Sequence, residues 1–561
     1  MAELVEEDRK LIIEFCHLLD KAKQLFNGLR ELPQYGHKQW HSYFGRTFDV
    51  YTKLWKFQQQ HRAVLDSKYG LKRWQIGEIA SKIGQLYYHF YLRTSECAYL
   101  NEAFSFYSAI RGRSYYTKAC KEDKCELIVK KLRYYARFIV VCLLLKKIKL
   151  VRELIKELER QIAEYGNTYD PDDQVEWTLV VDEVKAFIQA EQVVTILHPD
   201  NYAVVLSHRL GSDSVPSIER SSQMAYNLQE AMIIGNRKYQ VKFSELAIDM
   251  FRIIQTLERD PIENAQHIYD ESPRQRFAST PNAPTTKGYL EEASRRESAN
   301  PHKILLYKPA ANQALVYIGS GVLDLLPNGA LLLYISGDGY TCSTPRSSEP
   351  GYDMGGVITT YKSDTYRDGK DQKSQTKYKE VQCIYPGDLF QFSRSPMFII
   401  IDSDNSFAFA NMPKIFGYPQ VTLMSPIELP VPYQDHKHQG SLFTLFLHAP
   451  LIAFCYICEI RSTSLAHWER ALIFIDNFMI DALNILMRNR PDLNYVAFIG
   501  DDFMRLLILR YIFCDTTLRL HRAFRPRNTQ PRCSPPLPDE LIDHPALTGI
   551  VLDIANHFQV R

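Results

Sequence analysis

The sequence predicts an α+β multidomain protein: an N-terminal all-α array of helical hairpins, followed by a mostly parallel α/β domain with additional C-terminal helices. Three observations lead there. Apolar residues recur at helical spacing through residues 5–258, as in Leu11, Phe15, Leu18 and Leu19, then Phe48, Tyr51, Leu54 and Phe57. After residue 302, short continuous apolar runs alternate with helix-like segments, the pattern of strands buried on both faces of a parallel sheet. Between them, 259–302 is dominated by Pro, Ser, Thr and charged residues and reads as a linker. The expected division is therefore 1–258 helical, 259–302 linker, 303–439 sheet domain and 440–561 helices packed on it.

Within the helical part, residues 82–110 are the most specific. Gly84, Tyr87, Tyr99, Leu100, Ala103, Tyr107 and Ile110 follow the tetratricopeptide (TPR-like) pattern of two antiparallel helices. Gly84 and Ala103 let the helices approach, and the large residues fill the space between them. FIVVCLLL at 138–145 lies between Arg137 and Lys146 and is too short to span a membrane; a core helix is expected. In the linker, Ser272-Pro273 and Thr280-Pro281 are candidate phosphorylation sites.

The second half reads element by element. KILLYK at 303–308, ALLLYIS at 330–336, MFIIID at 397–402 and PQVTLMSP at 419–426 are strand-like. Residues 310–326 and 406–417 are helix-like, the latter closed by Gly417. A polar insertion is expected over 337–395, and helices return at 440–523 and 540–558.

GSLFTLFLHAPLIAFCYICEI at 440–460 has no charged residue from Gly440 to Cys458. That length approaches the roughly 20 residues of a spanning helix. Its content favours a soluble core: Ser441, Thr444 and His448 are polar, and Pro450 falls in the middle. The expectation is a short buried helix, a turn near His448–Pro450, and a second helix with proline in its first turn. Membrane contact through 440–460 is the alternative.

The composition narrows the function. The chain has 561 residues, more than one hydrophobic core usually serves. Lys+Arg number 67 against 65 Asp+Glu, which argues against coating nucleic acid by charge alone. The 11 scattered cysteines and the charged start MAELVEEDRK suggest a reducing compartment.

Few motifs carry chemistry. Asp402-Ser403-Asp404-Asn405-Ser406 follows a strand, where α/β sheets place ligands. It partly matches the Asp-x-Ser-x-Ser loop that holds Mg²⁺ through oxygens, with Asp404 in place of the middle Ser. A ligand- or Mg-dependent enzyme or switch centred on Asp402, Asp404 and Ser406 is the rival reading; helix capping is the bland one. Gly337-Asp338-Gly339 ends a strand and is a turn or a ligand approach. Gly319-Ser320-Gly321 falls inside a helix-like run and is discarded as a dinucleotide loop. Cys455 and Cys458, even with His436 and His438 nearby, lack a second pair of zinc ligands, and Cys120 and Cys125 read as surface residues. Arg519, Arg522, Arg525, Arg527 and Arg532 could meet an acidic partner, or form a solvated helix end. No hydrolase, Walker or metalloprotease motif is present.

Several long blocks carry a resemblance. Residues 24–62, 69–96, 130–147, 240–252 and 300–309, with GSLFTLFL and FCDTTLRLHRAFR, closely resemble the SCAI (suppressor of cancer cell invasion) family. The resemblance implies a regulator of nucleus and cytoplasm rather than an enzyme, with no catalytic residue and no cofactor. It implies a transcriptional corepressor and adaptor that binds myocardin-related transcription factors and dampens serum response factor in Rho–formin signalling. Restraint of integrin expression and cell migration would follow. It also implies a link to DNA double-strand break and crosslink repair through protein partners. The first candidate for the docking surface is 69–118, where Arg111, Arg113, Tyr115 and Tyr116 are expected as exposed anchors.

Overall fold

The computed structural model of the chain describes residues 6–116, 125–169, 171–211, 214–260, 300–341, 349–362, 380–412, 416–435, 437–489 and 491–560. The linker, with Ser272, Thr280 and most of their neighbours, lies outside them. The chain divides into two compact units, Met1–Asp182 with Asp260–Asn300, and Glu183–Arg259 with Pro301–Arg561.

The first unit is helical: α1 Glu6–Gly28, α2 His37–Gln60, α3 Arg73–Thr94, α4 Cys97–Gly112, α5 Cys125–Leu144 and α6 Ile148–Tyr169, followed by α7 Gln174–Glu191, whose residues from Glu183 onward belong to the second unit. Glu6, Glu7 and Asp8 open α1, where carboxylates meet the positive end of the helix dipole. Ser95 ends α3 in the left-handed region at φ 62, and one further residue, Glu96, leads into α4. So short a link forces α3 and α4 to lie antiparallel. The side-chain register confirms this: Phe90 meets Tyr99 at 4.7 Å, Gly84 faces the Tyr107 ring and Gly77 faces Tyr115. The small residues Gly84 and Ala103 are buried as expected. So is most of FIVVCLLL, which α5 holds as far as Leu144; Val140 and Leu145 are half-buried.

The second unit is built on a six-stranded mixed sheet. Its strands are β1 Asn227–Asn236, β2 His302–Tyr307, β3 Gly329–Gly337, β4 Met397–Asp402, β5 Gln420–Met424 and β6 Arg532–Ser534. Their spatial order is β2-β1-β3-β4-β5-β6. All pairs are parallel except β5 with β6. β3, β4 and β5 are buried throughout, because helices or loops cover both faces and leave no polar side. The four strands anticipated after residue 302 are all present.

The helical reading of 5–258 needs correction. β1 lies within it, as do short strands at Thr195–Leu197, Lys242–Phe243 and Leu246–Ala247. β1 is NLQEAMIIGN, buried at every residue from Glu230 to Asn236; a strand buried on both sides loses the two-residue alternation, and a short apolar run cannot then be told from a helix. The expected helix at 406–417 also differs: Ser406–Asn411 is a 3₁₀ turn. The 337–395 insertion holds a three-stranded antiparallel sheet of Gly339–Tyr340, Gly356–Lys362 and Glu380–Ile384.

Residues 440–460 form two helices, Leu442–His448 and Pro450–Ile457, broken at Ala449. Ser441 caps the first through its side-chain oxygen, and Pro450 opens the second. Every residue of Leu442–His448 is buried. Each leucine or phenylalanine so enclosed contributes about 2 kcal/mol. The polar members have internal partners: Thr444 hydrogen-bonds Asp402 at 2.5 Å, and His448 meets the Thr256 hydroxyl at 2.9 Å. Among the described residues no helix is long and apolar enough to cross a membrane.

Candidate functional site

The strand order places a topological switch between β1 and β3. There the chain leaves neighbouring strands in opposite directions, and a crevice opens beyond their carboxyl ends. Four strand ends deliver polar residues to it: Arg237 follows β1, Asp338 follows β3, Asp402 ends β4 and Ser425 follows β5. Helix α8, Ile248–Thr256, adds Arg252, with the fully buried Asp249 behind it, and the residues before Leu442–His448 form another wall. The crevice holds a cavity of about 740 Å³, within the range of roughly 300–1,000 Å³ of small-molecule sites.

A charge network covers its floor. Arg237 Nη1 donates to Asp402 Oδ1 at 2.8 Å. Asp402 Oδ2 accepts from Thr444, whose hydroxyl also meets Tyr334 at 2.7 Å. Asp249 accepts from the Ser441 backbone N–H at 2.9 Å, from Ser336 at 3.3 Å and from Gln240. Arg252 Nη1 stands 3.7 Å from the same carboxylate. Gly440 passes over this pair at φ 94, and a Cβ there would collide with both Arg252 and Asp249, so this position requires glycine.

Burial sets the electrostatics. It raises the Asp249 carboxyl above its ordinary pKa, and the neighbouring Asp402 adds to this against Arg252 and Arg237. It opposes the charge on Arg237, but Asp402 and then Asp249 outweigh it, so that guanidinium holds its proton more firmly than usual. For Arg252 the balance is reversed: burial lowers its pKa and Asp249 offsets that only in part. Asp338 is raised by burial, with Arg237 opposing.

The structure corrects the Mg²⁺ reading. Asp402 is taken by Arg237 and Thr444. Asp404 Oδ1 accepts from the Gly339 backbone N–H at 2.5 Å. The Ser406 hydroxyl donates to the Ser425 carbonyl at 2.6 Å. The three groups thus turn to three different partners, and they fasten the loop to the neighbouring strands instead of converging on an ion. Among the described residues no group of three His, Cys, Asp or Glu side chains could hold a metal. The residues that do converge are Arg237, Asp249, Arg252 and Asp338. Of these only Asp338 was singled out from sequence. Reading AMIIGN as a strand would have flagged Arg237 at its end.

The docking residues are also placed differently. Tyr115 is 7% exposed and Tyr116 5%. Tyr115 packs on Gly77 beneath the Arg73 guanidinium, 5.7 Å away. The Tyr116 ring lies 5.6 Å from that of Tyr134. Both are packing residues, because the turn after α4 folds back over α3. Arg111 is engaged by Glu153 at 3.0 Å and Glu157 at 2.6 Å on α6. Arg113 is exposed and donates to the Tyr115 hydroxyl at 3.2 Å.

Other sequence candidates are absorbed by the fold. Arg519 bonds Asp515, Asp539 and Asp543, and Arg532 stacks 3.9 Å from the Phe407 ring centre. Burial raises the thiol pKa of both Cys455 and Cys458, which disfavours the thiolate a metal would need. Gly319-Ser320-Gly321 lies inside a helix, Ala311–Asp324. Cys120 and His436 fall outside the described residues.

Comparison with known proteins places this arrangement. A family model described as Protein SCAI matches residues 17–524. The chain is similar to Protein SCAI of Homo sapiens, 49% identical over 562 residues, which span 100% of this chain and 90% of that protein. Protein SCAI of Mus musculus matches to the same extent. The Protein SCAI homolog of Dictyostelium discoideum is 32% identical over 704 residues, 98% of this chain and 90% of that one. No solved structure matches.

Proposed function

The chain belongs to the SCAI family, and from that premise we propose that it is a transcriptional corepressor that works as an adaptor between protein partners. The observation that carries this reading is the extent of the similarity: 49% identity runs over 100% of the chain rather than over one motif. The partners are myocardin-related transcription factors in complex with serum response factor, in Rho–formin signalling, and the outcome is restraint of cell migration. A second role in double-strand break and crosslink repair runs through other protein partners. The protein acts in nucleus and cytoplasm, and it does so as a binding protein, not an enzyme.

The helical unit is the partner-binding part, a TPR-like array of hairpins whose grooves accept partner helices. The antiparallel α3–α4 pair supports this reading. The docking surface lies on 69–118, centred on the exposed Arg113 with Arg111 beside it, while Tyr115 and Tyr116 support it from beneath. The test is co-precipitation of the full chain with a myocardin-related transcription factor, joined to a serum response factor reporter. Association and a fall in reporter output are expected, both weakened by Arg113→Glu. Absence of association together with an unchanged reporter overturns the corepressor reading; intact association of the Arg113→Glu chain overturns the surface alone.

A further inference from the structure

Two residues that line the sheet cavity each carry a buried side-chain atom with no hydrogen-bond partner among the described residues: Arg252 Nη2 and Gln240 Oε1. Both side chains are anchored at their other end by Asp249. Gln240 donates its amide N–H to one carboxylate oxygen, and Arg252 Nη1 stands 3.7 Å from the other. Asp249 thus positions a guanidinium donor and an amide acceptor, each with hydrogen-bonding capacity left unmet. The Arg252 side chain is 3% exposed, and burying a charged donor unmatched is costly.

The carboxylates on the cavity wall are better satisfied. Asp402 bonds Arg237 and Thr444, Asp404 bonds Gly339, and Glu428 accepts from Asn528 at 2.6 Å. The unmet demand is for negative charge, opposite Arg252, with Lys437 also on the wall. Apolar side chains share the wall with these polar groups, Phe443, Leu445 and Tyr456 among them. The location is the crevice beyond the carboxyl ends of β1 and β3, where open parallel sheets take their ligands.

We propose that this cavity is a binding site for a small organic anion: a carboxylate or phosphate on an apolar body, carrying a hydrogen-bond donor close to the acid group. The acid meets Arg252 Nη2 and Lys437, the neighbouring donor meets Gln240 Oε1, and the body lies against Phe443 and Tyr456. This goes beyond the adaptor role, since it adds a small-molecule input to the sheet unit.

The experiment is calorimetric and thermal-shift titration of the full chain with two probes. Mandelate offers a carboxylate with an adjacent hydroxyl on a phenyl ring. Adenosine 5′-monophosphate offers a phosphate with ribose hydroxyls on a flat base. Sodium chloride of equal ionic strength is the control. Saturable binding of either probe is expected, and which one binds decides between carboxylate and phosphate. Arg252→Met should weaken it by about tenfold or more, the equivalent of one charged hydrogen bond. Gln240→Leu should keep the fold, judged by circular dichroism, and weaken binding several-fold; it decides the matter if Arg252→Met does not fold. Failure of both probes at millimolar concentration overturns the proposal. So does binding that Gln240→Leu and a folded Arg252→Met leave unchanged.

Discussion

Arg237 and Asp402 are 165 positions apart in the chain, yet their side chains meet at 2.8 Å. One follows β1 and the other ends β4, with β3 between them, so the guanidinium reaches across a strand end to its partner. Asp402 is 1% exposed and Arg237 23%, which makes this a largely buried ion pair at the centre of the crevice.

Breaking one side of such a pair leaves an uncompensated charge. Asp402→Asn is therefore expected to destabilise the sheet unit by about 3 kcal/mol. The double variant Arg237→Met/Asp402→Leu should recover much of that, since paired removal leaves no orphan charge. Urea denaturation followed by tryptophan fluorescence measures both. A single variant within about 0.5 kcal/mol of the parent, the size of a surface substitution, would sink the argument.

The α3–α4 seam depends on two glycines. Alanine in a helix gains about 1 kcal/mol over glycine, but overpacking costs about 1–3 kcal/mol. A Cβ at Gly84 would sit 3.1–3.3 Å from three atoms of the Tyr107 ring, and one at Gly77 would sit 2.8 Å from the Tyr115 Cβ. A ring can shift slightly, whereas a Cβ moves only with its backbone. Both substitutions to alanine are expected to lower the melting temperature, Gly77→Ala by more. A rise in melting temperature for Gly77→Ala would show that propensity wins.

His89 gives the helical unit an acid sensitivity. Burial, then Arg137 and Arg93, lower its pKa from 6.5 to about 4. The folded state thus holds the imidazole neutral where the unfolded chain protonates it. The stability contribution is complete above pH 6.5 and is lost as pH falls toward 4. After allowance for the partial exposure of His89, the loss between pH 7 and pH 5 is about 1 kcal/mol. His89→Gln should flatten this part of the pH–stability profile. An unchanged slope in that variant would assign the acid sensitivity to other groups.

Arg111 and Arg113 should separate stability from docking. Arg111→Glu places a third carboxylate beside Glu153 and Glu157, and a loss of about 1 kcal/mol is expected for this partly exposed cluster. Arg113→Glu, on an exposed side chain, should leave the melting temperature within a degree or so. Thermal melts of the two variants, run beside the co-precipitation, distinguish a weakened fold from a weakened surface. Equal destabilisation by both would contradict the placement of Arg113.

Much of the architecture was legible in the residues themselves. The continuous apolar runs at 330–336 and 397–402, set between helix-like segments, read as strands enclosed on both faces, and they are. Pro450 and His448 split the uncharged stretch into two short helices, and Gly84 with Ala103 marked a close helix crossing. All of these are local properties: a side chain's avoidance of water, or a backbone's inability to continue, is written within a few positions of where it acts. What only the tertiary structure decided was company. β1 was hidden because burial on both sides erased its alternation. Tyr115 and Tyr116 changed from expected anchors to packing residues because a turn folded them onto α3. Asp402, Asp404 and Ser406, adjacent in the chain, were drawn to separate partners by separate strands. Arg237, Asp249, Arg252 and Thr444, scattered over two hundred positions, were gathered by the strand order into one low-dielectric crevice. Charges interact through space, and a chain's order in space is set by how its apolar elements stack.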